Sequence, residues 1–219
     1  MSDDYQKVDH GLLSPLAQPL TNRIIPLIPV WVTPNLITIF GFAIAVIIAF
    51  LYYLASFNKT LLLATPLLIC IRWLLDHLDG QVARARNQTS ERGFFLDLFL
   101  DSLSFTVGAI AIGLASYSIF ELWAMVLVIT LLRYLLALFR ILLKKEFIIP
   151  TVGIDEGCFL LALTTILNYV YYDKIFQIFT YSFSCFDIFA LIYLFLGSFE
   201  FVKFSWQLYC DLDKGEATS

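Results

Sequence analysis

Six stretches of this chain are apolar over roughly the length that a helix needs to cross a lipid bilayer, and no other feature constrains the fold as strongly. A spanning helix requires about 20 mostly apolar residues. Of the 219 residues, 60% are hydrophobic, whereas a typical soluble domain is about 45–50% apolar. We therefore predict an all-α, polytopic membrane protein with six transmembrane helices, at residues 34–56, 60–84, 91–116, 119–143, 154–172 and 175–202.

Residues 14–32, which precede the first apolar stretch, have a different character. Four prolines stand there among apolar and polar residues and interrupt any long helix. The segment is too broken to span, so we interpret it as an amphipathic helix lying along the cytoplasmic membrane surface; a disordered leader is the alternative. The predicted organisation is a cytoplasmic N-terminal segment with this juxtamembrane helix (1–33), a transmembrane domain (34–203) and a frayed cytoplasmic tail (204–219).

Positive charges predict the orientation, because Lys and Arg are enriched on the cytoplasmic side of membrane proteins. The N-terminal segment, the loops after the second and fourth stretches and the tail together hold ten, and the opposite side holds only Lys59 and Lys174. Both termini are therefore predicted to be cytoplasmic. The net charge of -4 comes with no basic stripe, so we expect no nucleic-acid partner.

Acidic residues interrupt the second and third stretches at the ends that face each other. Asp76 and Asp79 are three residues apart, and Asp97 and Asp101 are four apart, so each pair shares one face of its helix. Acids within a membrane are costly and are usually there for function. If these faces meet, they form a cage of hard oxygen ligands, which suits Mg²⁺ or Mn²⁺. The sequence therefore predicts a metal site near the cytoplasmic surface.

Two other interpretations of the acids stay open on the residues alone. The acids could form structural ion pairs with Arg72 and Arg133, which also lie within apolar stretches, although two arginines cannot neutralise four acids. They could also line the cation pathway of a transporter. Neither alternative explains the small residues that accompany the acids.

Other polar residues near the acids receive structural interpretations. His77 is expected to be a polar helix-end residue. Asp155 and Glu156 begin the fifth stretch, where acids favour the positive end of a helix dipole; a role near the acceptor pocket is the alternative. Asn87, Gln88 and Ser90 are expected to turn the loop between the second and third stretches or to cap its helices.

Residues 76–101 carry the pattern Asp-x2-Asp-Gly-x2-Ala-Arg-x8-Gly-x3-Asp-x3-Asp. It resembles the signature of the CDP-alcohol phosphotransferase family at all eight fixed positions, and residues 33–38 also look like that family. The resemblance implies an enzyme that moves a substituted phosphate from a CDP-alcohol onto a hydroxyl and releases CMP. It also implies two bound divalent cations, Mg²⁺ or Mn²⁺. Because many relatives are homodimers, the resemblance makes a homodimer possible here too.

The resemblance assigns roles to individual residues. The acids Asp76, Asp79, Asp97 and Asp101 would bind the cations, and Asp101 would also deprotonate the acceptor hydroxyl as the catalytic base. The nucleotide would be bound by the remaining signature residues, because small side chains let it approach the backbone and a guanidinium gives charge-assisted bonds to the diphosphate: Gly80, Ala83, Arg84 and Gly93.

A basic patch at the cytoplasmic end of the fourth stretch could hold a phosphorylated acceptor, with ordinary positive-inside anchoring as the alternative. The patch consists of Arg133, Arg140, Lys144 and Lys145. The chain is about the size of the compact bacterial members of the family, which predicts a bacterial cytoplasmic membrane.

The subgroup resemblances point in two directions. Residues 86–90 look like phosphatidylglycerophosphate synthases, but Gly41, Leu98 and Ser102 depart from that subgroup. Residues 34–41 and the Asp101-Ser102 pair look more like choline/ethanolamine phosphotransferases. We expect CDP-diacylglycerol as the donor and glycerol phosphate, inositol phosphate or an amino alcohol as the acceptor.

Overall fold

The computed structural model describes residues 6–9, 14–149, 154–172, 175–178 and 181–216. Seven α-helices make up most of these residues: α1 (Ser14–Ile24), α2 (Pro34–Leu54), α3 (Thr65–Ala85), α4 (Glu91–Gly113), α5 (Phe120–Lys144), α6 (Ile154–Val170) and α7 (Cys185–Glu216). Strands β1 (Gln6–Asp9) and β2 (Glu146–Ile149) pair in parallel, and β3 (Phe176–Ile178) pairs antiparallel with β4 (Tyr181–Phe183).

Within the described residues, five helical segments are long and apolar enough to cross a membrane. They are α2, the segment Lys59–Ala85 that ends with α3, α4, α5 and the portion Cys185–Asp213 of α7. The prediction of an all-α, polytopic membrane protein is therefore confirmed. The fifth predicted span corresponds to α6, which has 17 residues and so lies at the lower limit of about 17 residues for a spanning helix.

Side chains near the α3–α4 turn set the ends of these two helices. Asn87 adopts the left-handed conformation, with φ of 54°, which Asn tolerates better than most residues. The N–H of Gln88 donates to the carbonyl of Ala83 over 2.8 Å and ends α3. Ser90 then starts α4, because its hydroxyl accepts a 3.0 Å hydrogen bond from the N–H of Gly93. The tight turn reverses the chain direction between α3 and α4, and the predicted turn and cap roles are confirmed.

Helix α2 packs along both α3 and α4, while α5 packs against α4 and α7, and α6 against α3 and α7. The main hydrophobic core lies at the end of the bundle opposite the α3–α4 turn. Tyr52 is fully buried there; its hydroxyl shares a 2.7 Å hydrogen bond with the Thr165 hydroxyl, and its carbonyl accepts one of 2.6 Å from the hydroxyl of Tyr117. The phenyl ring of Phe186 packs edge-on against Tyr52. This end is closely packed, whereas the opposite end carries the acids.

The N-terminal segment differs from the single helix predicted to reach Val32. Helix α1 ends at Ile24 and is followed by a 3₁₀ turn over Ile25–Leu27. Arg86, just beyond α3, donates to the carbonyls of Val32 and Ile28 over 2.7 and 2.8 Å. These bonds give hydrogen-bond partners to two backbone carbonyls that lie outside any helix. They also connect the non-helical segment to the end of α3. The location of α1 at a membrane surface stays a prediction.

The C-terminal segment also differs from expectation. The prediction of a frayed tail after Phe204 is wrong for the described residues, because α7 continues without a break to Glu216. Side chains of α5 support this extension: Arg140 donates to the carbonyl of Phe204 over 2.9 Å, and Lys144 to the carbonyl of Asp211 over 3.1 Å. These contacts with α5 give the polar end of α7 a partner.

The start of α7 generates a stability prediction. Asp187 is fully buried and accepts hydrogen bonds from the N–H and hydroxyl of Ser184 and from the N–H of Ile119. Asp187→Asn removes one accepting oxygen and leaves a buried donor without its partner. We expect the free energy of unfolding to fall by about 1–3 kcal/mol, measured as a lower thermal midpoint in detergent.

The exposed Asp213 provides the control for this prediction. Asp213→Asn makes the same chemical change on the same helix, and we expect it to leave the midpoint unchanged. Equal midpoints for the two variants would show that the Asp187 contacts do not stabilise the fold.

Candidate active site

Three of the predicted acids converge between α3 and α4. Asp76 on α3 and Asp97 and Asp101 on α4 each offer a carboxylate oxygen, and these oxygens lie within 4.8 Å of one another. The helix periodicity explains the arrangement, because residues four apart on α4 project toward the same neighbour. All three side chains are partly buried. Converging carboxylates with limited access to water are unfavourable unless a cation or a proton compensates their charge.

The fourth acid, Asp79, lies beside this cluster and faces α2. It is 5% exposed, and its Oδ2 accepts a 2.7 Å hydrogen bond from the hydroxyl of Thr38 on α2. Its Oδ1 accepts a hydrogen bond from the N–H of Gly80. Asp79 lines the same small hollow as Asp76 and Asp101. A ligand in that hollow would therefore be within reach of Asp79, although its metal role stays a prediction.

Arg72 is part of the site, although the sequence indicated only that it could pair with acids. It lies one helical turn before Asp76 on α3 and is 9% exposed. Its Nη2 contacts Asp101 Oδ1 at 2.7 Å and Asp76 Oδ1 at 3.7 Å. A guanidinium is always charged in proteins, so the cluster includes a fixed positive charge at its deep end.

The residues predicted to bind the nucleotide lie toward the α3–α4 turn. A Cβ on Gly80 would lie 3.4 Å from the guanidinium of the exposed Arg84, which is an ordinary van der Waals contact. A Cβ on Gly93 would lie 3.2 Å from the hydroxyl of Ser90 and 3.4 Å from Oδ1 of Asn35. Ala83, which is half-buried, is on α3 with Gly80. Side chains of the protein therefore lie beside both glycines, and nucleotide binding by these small residues stays a prediction.

The four residues of the predicted acceptor patch have structural contacts or positions that the sequence did not indicate. Arg133 Nη2 forms a 2.8 Å ion pair with Glu200 of α7, and Arg140 and Lys144 donate to α7 carbonyls as described above. Lys145 ends α5 in a left-handed conformation and is exposed. Arg133, Arg140 and Lys144 therefore join α5 to α7, and acceptor binding by this patch stays a prediction.

A buried polar network links α6 to a face of α3 adjacent to the one that carries the acids. Asp155 Oδ1 accepts a 2.9 Å hydrogen bond from the indole N–H of Trp73, and its Oδ2 lies 3.4 Å from Nε2 of His77. The predictions for Asp155 and His77 were based on their local helix positions. They missed this network because the two helices are far apart in the sequence, and an acid at a helix start gives no signal of its distant partner.

The site fits a small, hard divalent cation such as Mg²⁺ or Mn²⁺. The donor set consists of carboxylate oxygens, which these ions prefer. Three of these oxygens are close enough to one another to bind a single ion. In addition, the buried hydroxyl of Tyr134 finds no hydrogen-bond partner in the described part of the chain. That hydroxyl is in electrostatic range of Asp101 and Asp76, so a polar atom beside the cluster is still available to a ligand.

The comparisons with known proteins agree with this geometry. Residues 31–197 match the CDP-alcohol phosphatidyltransferase family, a match that covers most of the chain. The protein therefore belongs to this family of membrane transferases of phospholipid biosynthesis, and the resemblance stated from the signature is confirmed.

Two curated relatives with different names illustrate the similarity. Choline/ethanolaminephosphotransferase 2 of Arabidopsis thaliana is 32% identical over 116 residues, which cover 50% of this chain and 30% of the relative. Archaetidylinositol phosphate synthase of Pyrococcus horikoshii is 38% identical over 73 residues, which cover 33% of this chain and 36% of the relative. The alignments thus span about a third of the length of these relatives.

A solved structure shares the fold. The crystal structure of Mycobacterium tuberculosis phosphatidylinositol phosphate synthase with CDP-DAG bound aligns with a TM-score of 0.61 over 87% of this chain and 92% of that chain. The sequence identity is 15%. At this identity the likeness shows a common fold and does not transfer the substrate.

The Thr38–Asp79 contact generates a prediction about metal binding. Thr38→Val keeps the shape of the side chain but removes the donor that orients the Asp79 carboxylate. Since a side chain that orients a metal ligand is typically worth a factor of about 10–100 in affinity, we expect Mn²⁺ binding to weaken at least about tenfold in a titration of the purified protein.

Thr38→Ser is the matched control, because it retains the hydroxyl and should bind Mn²⁺ like the wild type. If Thr38→Val also binds like the wild type, the orientation of Asp79 does not matter for the metal.

Proposed function

We propose that this protein is a phospholipid-biosynthesis enzyme that transfers a substituted phosphate from a CDP-alcohol to an acceptor hydroxyl and releases CMP. The proposal rests on one observation. In a protein that belongs to the CDP-alcohol phosphatidyltransferase family, Asp76, Asp97 and Asp101 converge between two helices that can span the membrane. Bound divalent cations would supply neutralisation of the donor's diphosphate and stabilisation of the leaving CMP. Asp76, Asp79 and Asp97 would hold these cations, and Asp101 would be a further ligand.

In the proposed reaction, Asp101 acts on the acceptor. The acceptor hydroxyl oxygen attacks the phosphorus that carries the transferred group, and its proton passes to the Asp101 carboxylate. The bond from that phosphorus to the bridging oxygen of the diphosphate breaks, and CMP leaves with the electron pair. Arg72 holds Asp101 Oδ1, so we assign the proton to Oδ2.

The nucleotide is proposed to bind at the open end of α3 and α4. Gly80, Ala83 and Gly93 leave room for close approach, and the exposed guanidinium of Arg84 can reach the diphosphate with charge-assisted bonds. The exposure of Arg84 supports this role, because a guanidinium near the α3–α4 turn is accessible to a soluble headgroup.

We propose CDP-diacylglycerol as the donor. The fold neighbour has CDP-DAG bound, and a lipid donor can lie in the bilayer with its headgroup at the acids. The acceptor belongs to one of three classes: glycerol phosphate, inositol phosphate or an amino alcohol. The relatives named choline/ethanolaminephosphotransferase favour a different donor, a CDP-amino alcohol, because the group in their name is an amino-alcohol phosphate. The inositol phosphate names favour inositol phosphate as the acceptor. Arg133, Arg140, Lys144 and Lys145 are proposed to hold a phosphorylated acceptor. For the first three, this role requires the ligand to compete with their α7 contacts.

We further propose six membrane spans, with α6 as the fifth, and α1 as an interfacial helix. The loop charges place both termini and the acids on the cytoplasmic side, where nucleotide substrates are found, in a bacterial cytoplasmic membrane. A homodimer is proposed from the family resemblance alone.

The proposed role of Asp101 is tested by Asp101→Asn. The amide cannot accept the hydroxyl proton and binds metal less well, so we expect CMP release from CDP-diacylglycerol with Mg²⁺ to fall by at least about 100-fold. CMP release is measured by separating labelled CMP from the labelled CDP-diacylglycerol. Asp211→Asn, far along α7, is the charge-matched control and should keep wild-type activity. Release that persists in Asp101→Asn removes this residue from the mechanism.

Metal removal gives a second test. Purified protein treated with EDTA should lose CMP release, and added Mg²⁺ or Mn²⁺ should restore it, because the diphosphate cannot otherwise be neutralised between carboxylates. Activity that survives complete chelation contradicts the metal-dependent mechanism.

The substrates are identified by a panel. Purified protein is incubated with Mn²⁺ or Mg²⁺, with CDP-diacylglycerol or a CDP-amino alcohol, and with each acceptor class, and the lipid product is identified by mass. Ion flux in liposomes that depends on the acids and needs no CDP-linked compound would instead support the transporter interpretation.

A further inference from the structure

Arg72 is a buried cation placed directly against the proposed metal ligands. It is in the apolar part of α3, a helix that is long enough to span the membrane. Its guanidinium contacts Asp101 at 2.7 Å and Asp76 at 3.7 Å, which are two of the three converging acids. Asp101 belongs to α4, so the contact also joins the two helices.

The charges around Arg72 explain why this contact is strong. Buried carboxylates are strongly destabilised unless a positive partner compensates them. Arg72 is always protonated, so it offsets one of the three negative charges in the cluster under all relevant conditions. The short contact with Asp101 is a charge-assisted hydrogen bond, which is stronger than a neutral one.

We propose that Arg72 is a built-in counter-charge that sets the affinity of the acidic cluster for divalent cations. This inference rests on the proposed metal-dependent function. The guanidinium and a divalent cation interact with the same two carboxylates, so each weakens the other's binding to them. Arg72 is thus a positioning residue: it acts through Asp76 and Asp101, and it stabilises their convergence at the expense of metal affinity.

Two opposite effects follow when the positive charge is removed. A neutral side chain of similar length takes away the repulsion between Arg72 and the cation, so metal should bind more tightly. The same change leaves the buried acids uncompensated, so the protein should become less stable when metal is chelated. A residue that merely packs in the helix interface would give only the second effect.

The experiment measures Mn²⁺ binding to purified protein by calorimetric titration at a fixed, mildly alkaline pH. We expect Arg72→Gln to bind Mn²⁺ about tenfold more tightly or better, since a unit charge a few ångströms from a divalent ion is worth at least this factor at an effective dielectric constant of about 20. Arg72→Lys keeps the charge and should stay close to the wild type. Lys59→Gln removes the same charge at the opposite end of this span and should have no effect.

Thermal unfolding provides the second readout. The rise in melting temperature between EDTA and saturating Mn²⁺ should be larger for Arg72→Gln than for the wild type. If Arg72→Gln must be purified in Mn²⁺ to stay folded, this dependence supports the proposal. A variant that stays unfolded at every Mn²⁺ concentration contradicts it, because Arg72 would then be a structural residue.

The outcomes also separate this inference from the proposed function. Equal Mn²⁺ affinity for the wild type and Arg72→Gln overturns the role of Arg72 and leaves the metal site intact. Tighter binding in both Arg72→Gln and Arg72→Lys also overturns it, because the charge would then not be responsible. A wild-type protein that binds no Mn²⁺ overturns the metal site itself.

Discussion

The convergence of carboxylates from α3 and α4 inside a membrane protein is the constraint on which the rest of the site depends. Like charges at this distance repel, so the two helices stay together only because other contacts hold them. The left-handed Asn87 and the Ser90 cap keep the connection tight. Arg72 bridges the acids of both helices, and Thr38 of α2 holds Asp79. The surrounding contacts thus maintain an arrangement that the acids alone would oppose.

The sequence predicted the helical fold and the acid-bearing face because both depend on local patterns. A run of about 20 apolar residues is recognisable without knowing its neighbours, and the spacing of Asp97 and Asp101 places both on one side of a helix whatever that helix packs against. The short loop between α3 and α4 also predicts that their acid-bearing ends lie at the same end of the bundle. It does not predict that α2 packs along both helices.

Contacts between distant segments could not be predicted in this way. Arg140 and Lys144 look like positive-inside anchors in the sequence, yet they bond to carbonyls of α7 more than 60 residues away. Because these partners are backbone atoms, no residue type in α7 indicates the contacts. The same contacts extend α7 beyond Phe204, where local composition favours a frayed end. Asp155 is a further case, since a helix-start acid is common and its partner Trp73 is 82 residues away.

The two ends of the helix bundle have different roles: one is a packed core, and the other carries the acidic site. At one end, Tyr52, Tyr117 and Phe186 are buried and bonded to neighbouring helices, which fixes how α2, α6 and α7 meet. At the other end, three carboxylates converge, and Arg72 offsets part of their negative charge. Helices held firmly at one end can keep repelling groups together at the other, because separating the acids would require the packed end to move as well. The apolar core therefore contributes to the geometry of a polar site that it does not touch.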